Sequence, residues 1–121
     1  MRPLSQTQLP TFLERFDNFK DAEFRTLEII SASQIKLTLA TQDKARAFDW
    51  ISLELLFSGV VDAKLPQNNK LHLIDLSDGI SIINENNMFA FAIGACYNIS
   101  TVKNSIFYIV ADSLKYKEGS F

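Results

Sequence analysis

The chain has 121 residues, 47 % of them apolar and 21 % charged, with a net charge of −2 and ten Phe. That is the size and composition of one folded domain, which buries roughly two-thirds of the surface its unfolded form exposes without help from disulfides or metals. The twelve basic residues are scattered, and phosphate binding needs them clustered, so no nucleic-acid partner is expected.

Met1 to Leu9 is polar and reads as a flexible segment ahead of the domain, which is expected to span 10–112. Met1 to Pro10 has no apolar run of the secretory type, so the expected location is the cytoplasm. No window approaches the roughly 18 apolar residues of a membrane span, and no polybasic stretch suits an anionic surface, so no membrane partner is expected. The single Cys96 excludes an intrachain disulfide and fits a reducing compartment.

Pro10 suits a first helical turn, and Phe12 and Phe16 then share a face, with Phe19 one step beyond. A short N-terminal helix is the expectation. Phe24 to Ile30 reads as extended, Ser31-Ala32-Ser33 as a turn. Gln34 to Thr41 is the clearest strand, because Ile35, Leu37 and Leu39 alternate with Lys36 and Thr38. Thr41 to Ala47 is a polar connection with a helical turn at Asp43 to Arg46. From Trp50, Ile51, Leu53, Leu55 and Phe57 face in while Ser52, Glu54 and Ser58 face out, and Gly59 marks a bulge or bend.

Leu65 to Asn69 is a loop. Leu71 to Leu76 reads as a strand, Asp78-Gly79 as its hairpin turn and Ile80 to Ile83 as the return. Asn84 to Asn87 turns into Met88-Phe89-Ala90-Phe91-Ala92-Ile93, an all-apolar run with alternating sizes. Phe89, Phe91 and Ile93 point one way, Met88, Ala90 and Ala92 the other. Tyr97 to Val102 reads as a strand, and so does Ser105 to Ala111, also apolar on both faces. Ser113 to Phe121 reads as a polar tail. The sum is a mainly β, single-domain antiparallel sandwich or flattened barrel with a short N-terminal helix, with α+β as the alternative.

Chemistry-bearing residues are sparse. His72, the only histidine, alternates with Leu71 and Leu73 and reads as a strand residue. Cys96 has no basic neighbour to activate it and reads as a small core residue. Gly79 and Glu85 match half of an EF-hand loop, but Ile74 and Leu76 stand where its first ligands belong. Asp17 with Asp21, and Asp75 with Asp78, read as turn carboxylates. No phosphate loop and no Gly-x-Ser-x-Gly elbow occurs. No catalytic residue, cofactor or metal is expected.

Phe16-Asp17-Asn18-Phe19-Lys20-Asp21-Ala22-Glu23-Phe24 resembles the F-x-N-F-x-D-A opening of small, uncharacterised bacterial β-rich proteins. Some of those are suspected toxin-immunity or accessory proteins, and they often carry His where this chain has another residue. The resemblance implies a bacterial β-rich protein and transfers no active site. Read as residues, Phe16, Phe19 and Phe24 anchor the helix on the sheet.

The leading functional expectation is a non-enzymatic binding or protein-interaction module, self-associating as a homodimer or other homo-oligomer. Met88, Ala90, Ala92, Tyr108 and Val110 are its candidate interface, because two strands have more apolar surface than one sheet face needs. The alternative places those small residues around a small-molecule or enzymatic barrel pocket, with Trp50, Tyr97, Tyr108 and His72 as polar tips. A third reading is toxin neutralisation through Glu14, Asp17 and Asp21.

Overall fold

The computed structural model describes all 121 residues. Its elements in chain order are β1 (Arg2–Pro3), α1 (Leu9–Arg15), β2 (Glu23–Ser31), β3 (Gln34–Asp43), β4 (Asp49–Lys64), β5 (Ile80–Glu85), β6 (Met88–Ile93), α2 (Ile99–Val102) and β7 (Tyr108–Ser120). Short 3-10 turns lie at Asp17–Phe19, Lys44–Arg46 and Asn68–Leu73. All strands join one antiparallel sheet in the order β2-β3-β4-β7-β6-β5. The chain is thus a mainly β domain with a short N-terminal helix.

The sheet is single and open rather than split into two layers, and it curls on itself. In a flat sheet β2 and β6, four strand spacings apart, would lie roughly 19 Å from each other. The rings of Phe24 on β2 and Phe91 on β6 are instead 6.3 Å apart. Part of the bend lies in β4, where Gly59 has φ +66° and the pairing with β7 shifts register between Val60 and Asp62. The positive φ of Gly59 is one that a side chain rarely adopts, which favours glycine just ahead of that bulge.

The concave face holds the main core. Leu37, Leu39, Leu53, Leu55, Phe57, Phe91 and Ile109 are fully buried there. Phe107 fills its centre, with its ring 5.0 Å from Phe91 and 5.4 Å from Phe24. α1 lies on this face: Phe12, Phe16 and Phe19 form one cluster, with centroids 5.1 Å and 5.3 Å apart along the series. Asp17, Asn18 and Phe19 all have φ between 53° and 58°, a left-handed turn that costs about 1–2 kcal/mol per residue. Burial of Phe16 and Phe19 on either side of Asn18 offsets that cost.

The structure departs from the expected elements at several points. Leu71 to Leu76 is not a strand: Asn68–Leu73 is a 3-10 turn, its groups satisfied locally by Lys70 N–H to Gln67 O and Ile74 N–H to Leu71 O. The Asp78-Gly79 turn therefore leads into β5 rather than joining two strands. Tyr97 to Val102 is not a strand, because Asn98 caps α2. The last strand starts at Tyr108, not Ser105, and continues through Ser120. The segment read as a tail is thus a strand paired along β4, with Leu114 opposite Phe57 and Tyr116 opposite Leu55. At the other end Arg2 and Pro3 pair with Tyr116 and Lys115, and Leu4 is buried, so the first residues also join the domain.

Candidate functional site

The convex face of the sheet divides into two halves. The first is the small-residue face of β6. Ala92 pairs with Tyr108 and Ala90 with Val110, so the sheet register brings the expected interface residues together. Ala90, Ala92 and Val110 do not face solvent, while Met88 and Tyr108 are half-buried. Val102 of α2 seats on them, and Ala90, Ala92, Val102 and Val110 form a second, separate core. Ala90 and Ala92 are 0 % exposed. Met88, Ile83, Ile99, Cys96 and Tyr108 form its rim. Alanine is needed here because larger side chains would hold the helix off the sheet. Ala90, Ala92 and Val110 thus belong to a packing layer within the chain.

Short as it is, α2 is well fixed. The Asn98 side chain accepts from Thr101 N–H at 2.8 Å, while Thr101 Oγ1 accepts from Asn98 N–H at 3.2 Å, a reciprocal capping box. Cys96 N–H donates to Ser81 Oγ at 2.9 Å, tying the entry segment to β5. Behind the helix, Lys103 pairs with Asp62 at 3.3 Å, and Tyr108 Oη donates to the same carboxylate at 3.3 Å. Burial raises the Cys96 thiol above its ordinary range, against a hydrogen bond with Thr101 that lowers it. The thiol stays protonated at neutral pH and is a poor nucleophile.

The four polar-tipped pocket residues do not meet. Trp50 opens β4, Tyr97 is exposed ahead of α2, His72 is exposed in the Asn68–Leu73 turn, and Tyr108 lies under α2. The space a barrel ligand would use is occupied by Phe57, Phe91 and Phe107, each fully buried. Glu14, Asp17 and Asp21 are exposed around the end of α1, with Arg15 and Lys20 among them.

The second half of the convex face spans β2, β3, β4 and the C-terminal part of β7, and no helix covers it. Pairing sets its side chains in rows. One row runs Glu28, Lys36, Leu56, Lys115, and the next Thr26, Thr38, Glu54, Lys117. All eight are exposed or half-buried. Lys36 bridges Glu28 at 3.2 Å and Glu54 at 3.5 Å. At the end of this face the Trp50 and Phe121 rings lie 5.9 Å apart, and the Arg25 guanidinium sits 5.4 Å over Phe121. The sequence pattern does not reveal this grouping, because Phe121 falls in a segment that reads as a tail.

A charged network underlies the same end. Arg15 forms a two-pronged bond to the buried Asp43 carboxylate, Nε at 2.8 Å and a terminal nitrogen at 2.6 Å. Its other terminal nitrogen lies 2.7 Å from Glu118. Arg46 reaches Glu118 at 3.0 Å and Asp43 at 3.5 Å. Asp43 also accepts from Ala45 N–H at 2.9 Å, closing the β3–β4 turn. The hydrogen bonds from Arg15 hold both Asp43 and Glu118 below the usual carboxylate range, and those to Asp43 hold Arg15 above its own. Such groups stay ionised at neutral pH and move no protons. They clamp α1 to the sheet and fix Arg46 in place. Comparison with protein-family models, with curated proteins and with solved structures returns no match.

Proposed function

We propose that this protein is a non-enzymatic interaction module that docks a protein partner on the open half of its convex face. The observation that carries the reading is the grouping of Trp50, Phe121 and Arg25 on a sheet face that no element covers. Trp and Arg are the side chains that most often dominate binding energy at interfaces, with Phe also enriched there. Sheet faces pack against another layer at a spacing of roughly 10 Å. The half-buried Thr38, Ser52 and Leu56 leave the middle of this face low enough for such an approach.

A photo-crosslinking residue placed in cells at position 38 or 56, and in parallel at position 97, tests this. Tyr97 is 84 % exposed but lies beside α2, on the closed half. The expected result is one discrete crosslinked protein from positions 38 and 56, none from 97, and loss of the product with Trp50→Ala. Equal labelling from all three positions, or no product from 38 and 56, would contradict the proposal.

A further inference from the structure

We propose that the cleft at the β7 margin of this face receives a carboxylate-bearing segment of the partner. This deepens the interaction-module reading and rests on it. The open cleft has a volume of about 540 Å³, and its walls include Arg2, Arg46, Glu54, Tyr116, Lys117 and Glu118. Three cations thus face two carboxylates, and the carboxylates are already engaged. Glu118 is held by Arg15 and Arg46, and Glu54 by Lys36. Arg2 and Lys117 enter no ion pair within the chain, and neither does the neighbouring Lys115. In a chain of net charge −2, the uncompensated charge at this margin is positive.

The fold builds this arrangement. Pairing of β1 with β7 sets Arg2 opposite Tyr116, beside Lys117. Arg46 is held by Asp43 and Glu118, so its guanidinium is oriented before anything binds. A guanidinium matches the planar fork of a carboxylate, and a pre-set one loses less rotamer freedom on binding. The cleft is open, which suits a chain segment crossing the surface. A nucleic acid fits the same face poorly, since a run of phosphates would meet Glu23, Glu28 and Glu54.

The test uses the full chain and a fluorescein-labelled octapeptide of alternating Asp and Glu, followed by anisotropy. An Asn/Gln octapeptide and a labelled oligothymidylate of equal length serve as competing chemistries. The Arg2→Ala/Lys117→Ala double variant removes the two unpaired cations. Lys64→Ala/Lys70→Ala removes the same charge from exposed positions outside the cleft. The expected result is saturable binding of the acidic peptide that weakens with salt, about tenfold weaker in the cleft variant, which corresponds to one charge-assisted contact. The Lys64/Lys70 variant is expected to bind like the parent. No saturable binding, equal weakening in both variants, or tighter binding of the oligothymidylate would overturn the proposal. Crosslinking at positions 38 and 56 would survive that failure, so the docking face and its charge preference are tested separately.

Discussion

The two halves of the convex face are made by the same sheet and end differently. Under α2 the outward side chains are Ala90, Ala92 and Val110, and a single helical turn closes over them. Across β2, β3, β4 and the end of β7 they are Thr38, Ser52, Glu54, Leu56, Lys115 and Lys117, and nothing closes over them. The difference lies in side-chain size and polarity along each strand. Small apolar residues let a layer approach and give it something to bury; charged and hydroxyl residues keep the face hydrated. An apolar second face is therefore no sign of a partner when the chain supplies a cap of its own. The partner-seeking features belong to the half that has none.

The largest expected effect comes from the far side of the closed half. Phe91 backs Ala90 and Ala92 on β6 and touches Phe24, Phe57 and Phe107. Phe91→Ala is expected to cost about 3–5 kcal/mol. Urea unfolding measures it, and a loss below about 1 kcal/mol would remove Phe91 from the centre of the core.

Next is the clamp beneath the open half. Asp43→Asn leaves Arg15 without its two-pronged partner, and an expected loss of about 2–3 kcal/mol reflects a charge-assisted pair whose arginine stays part-exposed. Asp43 and Glu118 titrate lower in the folded chain than in the unfolded one. Their contribution is whole above the ordinary carboxylate range and disappears as the pH falls through their folded values. Stability of the parent should therefore fall on acidification, and the acid limb of the Asp43→Asn/Glu118→Gln variant should be flatter. Parallel acid limbs for the two proteins would show that the network does not couple to folding.

A smaller effect isolates the cap itself. Asn98→Ala removes the capping acceptor of α2 and is expected to cost about 1 kcal/mol. Hydrogen exchange at Thr101 and Val102 should quicken with it, while exchange in β3 stays as in the parent. Unchanged exchange at Thr101 would mean that the contact of Val102 with the alanines alone holds the helix.

Much of the fold is legible where alternation is strict. Ile35 to Leu39, Ile51 to Phe57, the bend near Gly59 and the Phe12–Phe16–Phe19 face can all be read from spacing. Alternation misleads at Leu71 to Leu76, where local turn bonds satisfy the backbone and only Leu71 and Leu76 are buried. It is hidden in β7, where Leu114 and Tyr116 alternate with Lys115 and Lys117 but flanking charge gives the look of a solvated tail. Asn98 and Thr101 carry a capping-box spacing that a reading for strands passes over. The charged clamp joins residues 28 positions apart, Arg15 with Asp43, and 72 apart, Arg46 with Glu118. No local pattern announces such pairs, because the sheet order creates them, and the cleft at Arg2 and Lys117 likewise exists only through the pairing of β1 with β7.

The contrast between the halves is tested most directly by adding the same bulk to each. Ala92→Leu and Ser52→Leu each place a branched chain at a small outward position, one under α2 and one on the open face. In matched denaturation curves, Ala92→Leu is expected to lose about 1–3 kcal/mol by overpacking, and Ser52→Leu to stay within about 0.5 kcal/mol of the parent. Equal losses would contradict a convex face that is closed on one half and open on the other.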